Sequence, residues 1–199
     1  LAQAYMTEGS PDRAIEEYKA ALSYDPKSAL IYSRLAGEYV KKGMLTQAME
    51  YCKEALNADS HYLDARVMLA GLLASTRDVE GAVAEYDKIL KQDPSHEEAL
   101  VYRSQLLLES GQANQAQAKI KEFIKKNPDS HVAWYYQGRV EQKKENLKAA
   151  EQAYQKALSI KSSFYQAAIS LGFLYEAANR NAEAVKVYQR IYDETQDPT

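Results

Sequence analysis

Histidines and a cysteine are the residues of this sequence that could bind a metal or act as a nucleophile. His61, His96 and His131 stand 35 residues apart. Packed helices lie about 8 to 10 Å apart, so equivalent residues of successive helix pairs would be roughly 20 Å apart. Zinc needs its ligands at about 2 Å. We therefore expect surface histidines and no metal site.

Catalytic motifs are missing from the sequence as well. Cys52 falls on the apolar stripe of a predicted helix, where a thiol is typical of core packing. Carboxylates such as Glu16, Glu97 and Glu98 lie near predicted helix starts, where they interact favourably with the helix dipole. The sequence contains no glycine-rich phosphate loop, HExxH motif or nucleophile elbow. It predicts a protein that is not an enzyme and has no cofactor.

Composition and charge argue against nucleic acids and membranes as partners of this protein. The 199 residues carry a net charge of −3, with a pI near 5.7, which gives no overall attraction to nucleic acid or to anionic membranes. The longest apolar run, residues 67–74, is far shorter than the roughly 20 residues that cross a bilayer. The first residue is Leu1, so we expect an excerpt or a processed form, and cytoplasm and bacterial periplasm both stay open.

A repeat runs through the whole chain. The segments AIEEYKAAL, AMEYCKEAL and AVAEYDKIL begin at residues 14, 48 and 82, and Ala116, Ala150 and Ala184 continue the period of 34. Each period contains two apolar stripes with helical spacing, for example in 29–42 and 45–57. Small alanines at the crossing allow close approach, which predicts antiparallel helix pairs.

The pattern resembles the tetratricopeptide repeat (TPR) family. WYYQG at 134–138, LGFLY at 171–175 and AYQKAL at 153–158 carry the signature. The resemblance implies an all-α, right-handed α-solenoid in which the first helices of the pairs, the A helices, line a concave groove. We expect one domain over 1–199, with six units at 1–28, 29–62, 63–96, 97–130, 131–164 and 165–199, the first of them truncated.

Some positions depart from the family pattern. The turn glycine is present as Gly9, Gly43 and Gly111, whereas Arg77, Glu145 and Asn179 replace it elsewhere. Arg and Glu disfavour positive φ, so we expect the turn to shift and Asp78 or Asn146 to take the strained conformation. Arg103 and Gln137 replace apolar residues, which predicts a more polar interior in the fourth and fifth units.

The aromatic residues at 134–136 occupy different positions of the repeat, and we therefore expect different roles for them. In the family, the fourth position of a unit packs between the two helices and the fifth faces the groove. Trp134 is therefore expected in the core and Tyr135 in the groove, although an exposed tyrosine with no partner is an equal alternative for Tyr135. The resemblance places these candidate groove residues on the A helices: Ser33, Gly37, Val40, Val67, Gly71, Val101, Gln105, Tyr135, Arg139, Ile169 and Phe173.

The groove positions suit an extended peptide or an amphipathic helix; the alternative is that their small residues only permit tight packing. Ser33, Gly37, Val67 and Gly71 occupy the sites where some TPR domains carry a carboxylate clamp, so we expect no clamp. Residues 131–164 hold six Lys or Arg against three Glu, a charge that could favour an acidic partner or simply form a solvated face.

These observations predict a non-catalytic scaffold that binds other proteins or peptides, with no nucleic-acid binding and no membrane insertion. One alternative is a structural module that forms homo-oligomers through its terminal helices, since Val185, Val187, Ile191 and Tyr192 form an apolar stripe on the last predicted helix. Another is the substrate-binding arm of a larger enzyme.

Overall fold

The structure, a computed structural model, describes residues 11–196. Over this range the chain forms eleven α-helices and no β-strand, which confirms the all-α fold class. The helices are α1 (Pro11–Leu22), α2 (Ala29–Lys41), α3 (Leu45–Ala58), α4 (Leu63–Ser75), α5 (Val79–Gln92), α6 (Glu97–Glu109), α7 (Ala113–Lys126), α8 (His131–Lys143), α9 (Leu147–Ile160), α10 (Tyr165–Ala177) and α11 (Asn181–Gln196).

The chain forms two compact units, and the boundary between them lies between Gln92 and Asp93. In the first unit, which contains α1 to α5, each helix from α1 to α4 packs on the next helix along the chain. Its core includes Ile15, Leu35, Cys52 and Leu69, which come from four different helices. Because these four helices contribute to the same apolar cluster, they are stacked in sequence order.

The second unit contains helices α6 to α11, which also pack in chain order. A cluster around Tyr154, Leu171 and Tyr175 joins α9, α10 and α11. The connection between successive helices is short, so neighbouring helices run antiparallel.

Close approach within two of the helix pairs depends on a glycine in the A helix. Gly138 of α8 and Gly172 of α10 lie against the rings of Tyr154 and Tyr188 in the following helix. A Cβ at Gly138 would be 2.5 Å from the Tyr154 ring. In both pairs, therefore, the tyrosine ring fills the space that a side chain at the glycine position would need.

The turns correct one expectation. Arg77, Glu145 and Asn179 themselves adopt positive φ, at 64°, 61° and 57°, so the left-handed conformation is not passed to Asp78 or Asn146. The glycines Gly43 and Gly111 have φ of 72° and 77°; Gly9 lies outside the described residues.

A backbone hydrogen bond explains why the turn does not move. The residue after the left-handed one donates its N–H to the carbonyl five residues earlier, as in Asp78 to Leu73 and Asn146 to Glu141, both at 2.9 Å. Met44 to Tyr39, Gln112 to Leu107 and Arg180 to Tyr175 repeat this bond at the other turns. The bond closes the helix end, and its geometry requires the same conformation whichever residue is present.

The interior of the second unit contains polar side chains, as expected from Arg103 and Gln137, which are only 6% and 8% exposed. Buried Glu141 accepts hydrogen bonds from the Gln137 amide at 2.7 Å, from the Asn146 amide at 2.9 Å and from Gln117. Three amides from α7, α8 and the next turn thus satisfy one buried carboxylate. No helix among the described residues has the length and apolar character that a membrane crossing requires.

Candidate interaction surface

The second unit carries exposed apolar side chains on its A helices. Ile169 and Phe173, one turn apart on α10, are 42% and 59% exposed. The Phe173 ring contacts Tyr188 edge-on at 6.5 Å between centroids, so one edge of the ring is packed while the rest remains accessible. We call Val101, Gln105, Tyr135, Arg139, Ile169 and Phe173 the second A face.

Tyr135 is half-buried at the centre of an aromatic cluster. Its ring meets Tyr136 and Phe164 edge-on, at 5.2 and 5.4 Å, and lies tilted against Tyr154 at 5.9 Å. His131 extends the cluster by an edge contact with Phe164 at 4.7 Å. Such edge-to-face pairs are favourable, so Tyr135 packs within the unit in addition to presenting a partial surface.

Arg139 is the cation of the second A face. Its guanidinium lies 5.4 Å from the centroid of the Tyr136 ring and 6.0 Å from that of Tyr135, within the range of cation–π attraction. Burial raises the pKa of the Tyr136 hydroxyl, and the nearby Arg139 charge opposes that shift. The Tyr154 hydroxyl donates to the Gln142 side chain at 2.7 Å. Packing thus holds Arg139 beside aromatic rings, where it remains partly exposed.

The rest of the second A face is less apolar. Val101 is half-buried, and Gln105 is exposed with its amide donating to Glu109 at 2.9 Å. The accessible apolar area is therefore concentrated on α10.

The predicted groove residues of the first unit are smaller. Val40 is 39% exposed, Gly37 and Val67 are half-buried, and Gly71 is exposed. Ser33 is only 6% exposed, so its side chain offers little surface for contact. Leu30, in the same unit, is 51% exposed.

Trp134 differs from its expected place in the core. Its side chain is half-buried, and its indole N–H donates to the Pro128 carbonyl at 2.9 Å. The ring is tied to the loop before α8 because the loop carbonyl is within reach at the helix start. The neighbouring Tyr136, only 6% exposed, is the buried aromatic of this run.

The histidines have local structural roles. His61 is exposed, and His96 accepts a hydrogen bond from the Ala99 N–H at 3.2 Å as the N-cap of α6. Burial lowers the pKa of His131, and the Lys161 charge adds to that effect. Within residues 11–196, no group of three His, Cys, Asp or Glu side chains is placed to hold a metal ion.

Two cavities lie in places that the sequence did not predict. One, of about 370 Å³ in the first unit, is lined by Ser60, His61, Arg66, Lys88, Lys91 and Gln92. Glu85 pairs with Arg66 at 2.7 Å and with Lys88 at 2.6 Å, which neutralises much of this charge. The other, in the second unit, surrounds Ala168. The sequence does contain a signal for both cavities. The fourth residue of a unit changes from copy to copy, and it is Arg66 at the first cavity and Ala168 at the second.

Three family models of tetratricopeptide repeats match the sequence, at residues 2–43, 39–100 and 103–164. A comparison with curated protein sequences gives no significant match.

Solved structures with the same fold include MamA from Desulfovibrio magneticus RS-1, at 22% identity and a TM-score of 0.69, over 86% of this chain and 97% of that one. A tetratricopeptide repeat protein from Parabacteroides merdae ATCC 43184 has 20% identity and a TM-score of 0.74, over 97% of this chain and 77% of that one. YrrB, described as a TPR protein with an unusual peptide-binding site, has 16% identity and a TM-score of 0.65, over 92% and 95%.

At these identities the solved structures show the fold alone, whereas the family models identify the repeat in the sequence itself. The models together extend from residue 2 to residue 164, and the helix pairs continue the same pattern to α11. The chain belongs to the tetratricopeptide repeat family.

Proposed function

We propose that this protein is a non-catalytic scaffold and that its second A face binds a segment of another protein. Membership of the TPR family supports a protein-interaction scaffold in general terms. The observation that carries the finer proposal is the exposure of Ile169 and Phe173 one helical turn apart. Large apolar side chains exposed together are unfavourable in water unless a partner covers them.

The partner that fits best is an amphipathic helix or an extended peptide with apolar anchors. Anchors of this kind make alternate or i, i+4 contacts with apolar side chains on the receiving surface. The guanidinium of Arg139 lies on the neighbouring A helix, and an acidic residue beside the anchors would pair with it. YrrB, a protein of the same fold, is described as having an unusual peptide-binding site, which supports peptide binding as the mode for this chain.

A direct test uses peptides selected from a displayed library against the whole protein. Phe173→Ala and Ile169→Ala should each weaken binding of the selected peptides, by about thirtyfold if the residue is a hot spot worth about 2 kcal/mol. Titration calorimetry measures the loss. Tyr24→Ala is a matched control, because this aromatic is 91% exposed and lies outside the second A face.

Arg139→Gln separates the charge from the apolar contacts. It should weaken acidic peptides more than neutral ones and reduce the salt dependence of their binding. Peptides that bind Phe173→Ala and Ile169→Ala as tightly as the unaltered protein would contradict the proposed site.

Self-association is a second candidate. Val185 and Tyr192 on α11 are 63% and 59% exposed, and an apolar helix face of this kind can be covered by a second copy of the chain. This surface lies on a B helix, the second helix of its pair, so it is compatible with peptide binding at the second A face.

A further inference from the structure

The fourth residue makes the same contact in three of the five described A helices, namely α2, α4 and α8. Tyr32 donates its hydroxyl to the Pro26 carbonyl at 3.1 Å, and Trp134 donates its indole N–H to the Pro128 carbonyl at 2.9 Å. Arg66 likewise donates to the Ser60 carbonyl. In each case the acceptor is six residues before the donor. These three units therefore place a long side chain with a donor at this position and an acceptor in the preceding loop. In α6 the fourth residue is the buried Leu100, and there the Pro94 carbonyl accepts from the Asn127 amide at 3.1 Å instead.

Ala168 is the fourth residue of α10, and its methyl group can neither reach the loop nor donate. A cavity of about 520 Å³ lies at this place. It is bounded by α9, α10 and α11, with Leu158, Ser162, Ala168, Leu171, Val187 and Ile191 among its lining residues. The cavity thus lies where Tyr32 and Trp134 have their rings in earlier units.

The residue that corresponds to Pro26, Ser60 and Pro128 is part of the cavity wall. Ser162 is six residues before Ala168 and lines the cavity. The corresponding carbonyls of Pro26, Ser60 and Pro128 each accept a side-chain donor from the fourth residue of the following helix. Ala168 supplies no such donor, and a ligand in the cavity would supply it in the same place.

We infer that this cavity binds a planar aromatic group that carries a hydrogen-bond donor, such as an indole or a phenol, with the donor bonded to the Ser162 carbonyl. The apolar side chains on three helices supply contact for the ring. Cavities of about 150 Å³ left by large-to-small substitution can bind benzene, so the volume here is ample. The site shares no residue with the second A face and extends beyond the proposed function.

Indole is the probe, and nuclear magnetic resonance is the measurement. Saturation transfer from the whole protein to free indole should be observed. In a methyl-labelled sample, indole should shift the signals of Leu158, Val187 and Ile191 while leaving Val40 of the first unit unchanged. 1-Methylindole cannot donate, and it should bind roughly two- to tenfold more weakly, the value of one net hydrogen bond.

Ala168→Trp tests the site from the protein side. The introduced ring should occupy the cavity and weaken indole binding at least about tenfold, because a filled interior leaves no room for a second ring. Ala177→Trp is the matched control, since it adds the same side chain at an exposed position of the same helix, and it should leave binding unchanged. The methyl shifts of the unaltered protein decide the question if Ala168→Trp does not fold.

A second ligand identifies the source of the ring. N-acetyltryptophanamide imitates a tryptophan in a protein, so binding of indole alone indicates a free small molecule, and binding of both admits a partner's side chain. Binding of the amide alone indicates a partner's side chain, and all three results support the site. Failure of both to bind at millimolar concentration, methyl shifts away from the cavity, or unchanged binding to Ala168→Trp would overturn the inference.

Discussion

Cys52 lies in the core of the first unit, with its side chain fully buried. Burial raises the pKa of the thiol to about 12, because a thiolate would lose its hydration in an apolar environment. The reactive form is the thiolate, so the folded protein should react very slowly with Ellman's reagent at pH 8. Absorbance at 412 nm follows this reaction, and unfolding in guanidinium should make one thiol per chain react rapidly. Fast reaction of the folded protein would show that the residue is accessible.

Gly138 packs against the ring of Tyr154, and a methyl group there would lie 2.5 Å from ring atoms. Gly138→Ala should therefore lower the free energy of unfolding by about 1 to 3 kcal/mol, the usual range for overpacking. Gly71→Ala is the matched control. Gly71 lies within a helix and has no heavy atom within 4 Å of the added Cβ, so alanine should raise stability by about 0.5 to 1 kcal/mol.

Denaturant unfolding followed by circular dichroism measures both glycine variants. Opposite signs are expected because helix propensity favours alanine at both sites while only Gly138 lacks space. Equal stabilisation of the two variants would show that the Tyr154 ring can move away.

At the scale of elements, the turn that joins α8 and α9 holds Glu145 at φ 61°. A left-handed conformation costs a residue with a side chain roughly 1 to 2 kcal/mol, whereas glycine adopts it freely. Because glycine also increases the entropy of the unfolded chain, Glu145→Gly should raise the free energy of unfolding by only up to about 1 kcal/mol. Chemical denaturation measures the change.

Gly111→Ala is the reverse experiment at an equivalent turn, where φ is 77°. It should lower the free energy of unfolding by about 1 to 2 kcal/mol. If instead the alanine variant were as stable as the unaltered protein, the left-handed turn would be less strictly required than its hydrogen bond indicates.

At the scale of the whole molecule, the exposed apolar face of α11 is the candidate surface for self-association of the protein. If Val185 and Tyr192 are covered by a second copy, light scattering should show a mass that rises with concentration in the micromolar range. Val185→Glu should shift the equilibrium towards the monomer, because a charge buried in an apolar interface is costly. Glu54→Gln, at an exposed position on another B helix, is the control, and a monomer at all concentrations would remove this candidate.

Domain organisation also belongs to the largest scale. The unbroken period predicts one domain, because every unit has the same length and covers its neighbour. Contacts between residues divide the chain into two compact units at Gln92 and Asp93. One domain over 1–199 stays a prediction, since the period shows that the repeats are equivalent in sequence and the two units are defined by their contacts.

The sequence by itself determined the helix pairs, their antiparallel order and the places of the turns, because alanines, tyrosines and apolar stripes recur every 34 residues. It also correctly placed Cys52 in the core and polar side chains in the interior at Arg103 and Gln137. These features depend on local pattern, which is read directly from residue type and spacing.

Only the three-dimensional structure decided the features that residue type and spacing leave open. It kept the left-handed turn on Arg77 and Glu145, because the closing hydrogen bond outweighs their intrinsic preference. It left Trp134 half-buried on a loop carbonyl and left a cavity at Ala168. Local pattern does not fix these outcomes, because side-chain exposure and empty volume depend on which neighbours fill the space around a residue.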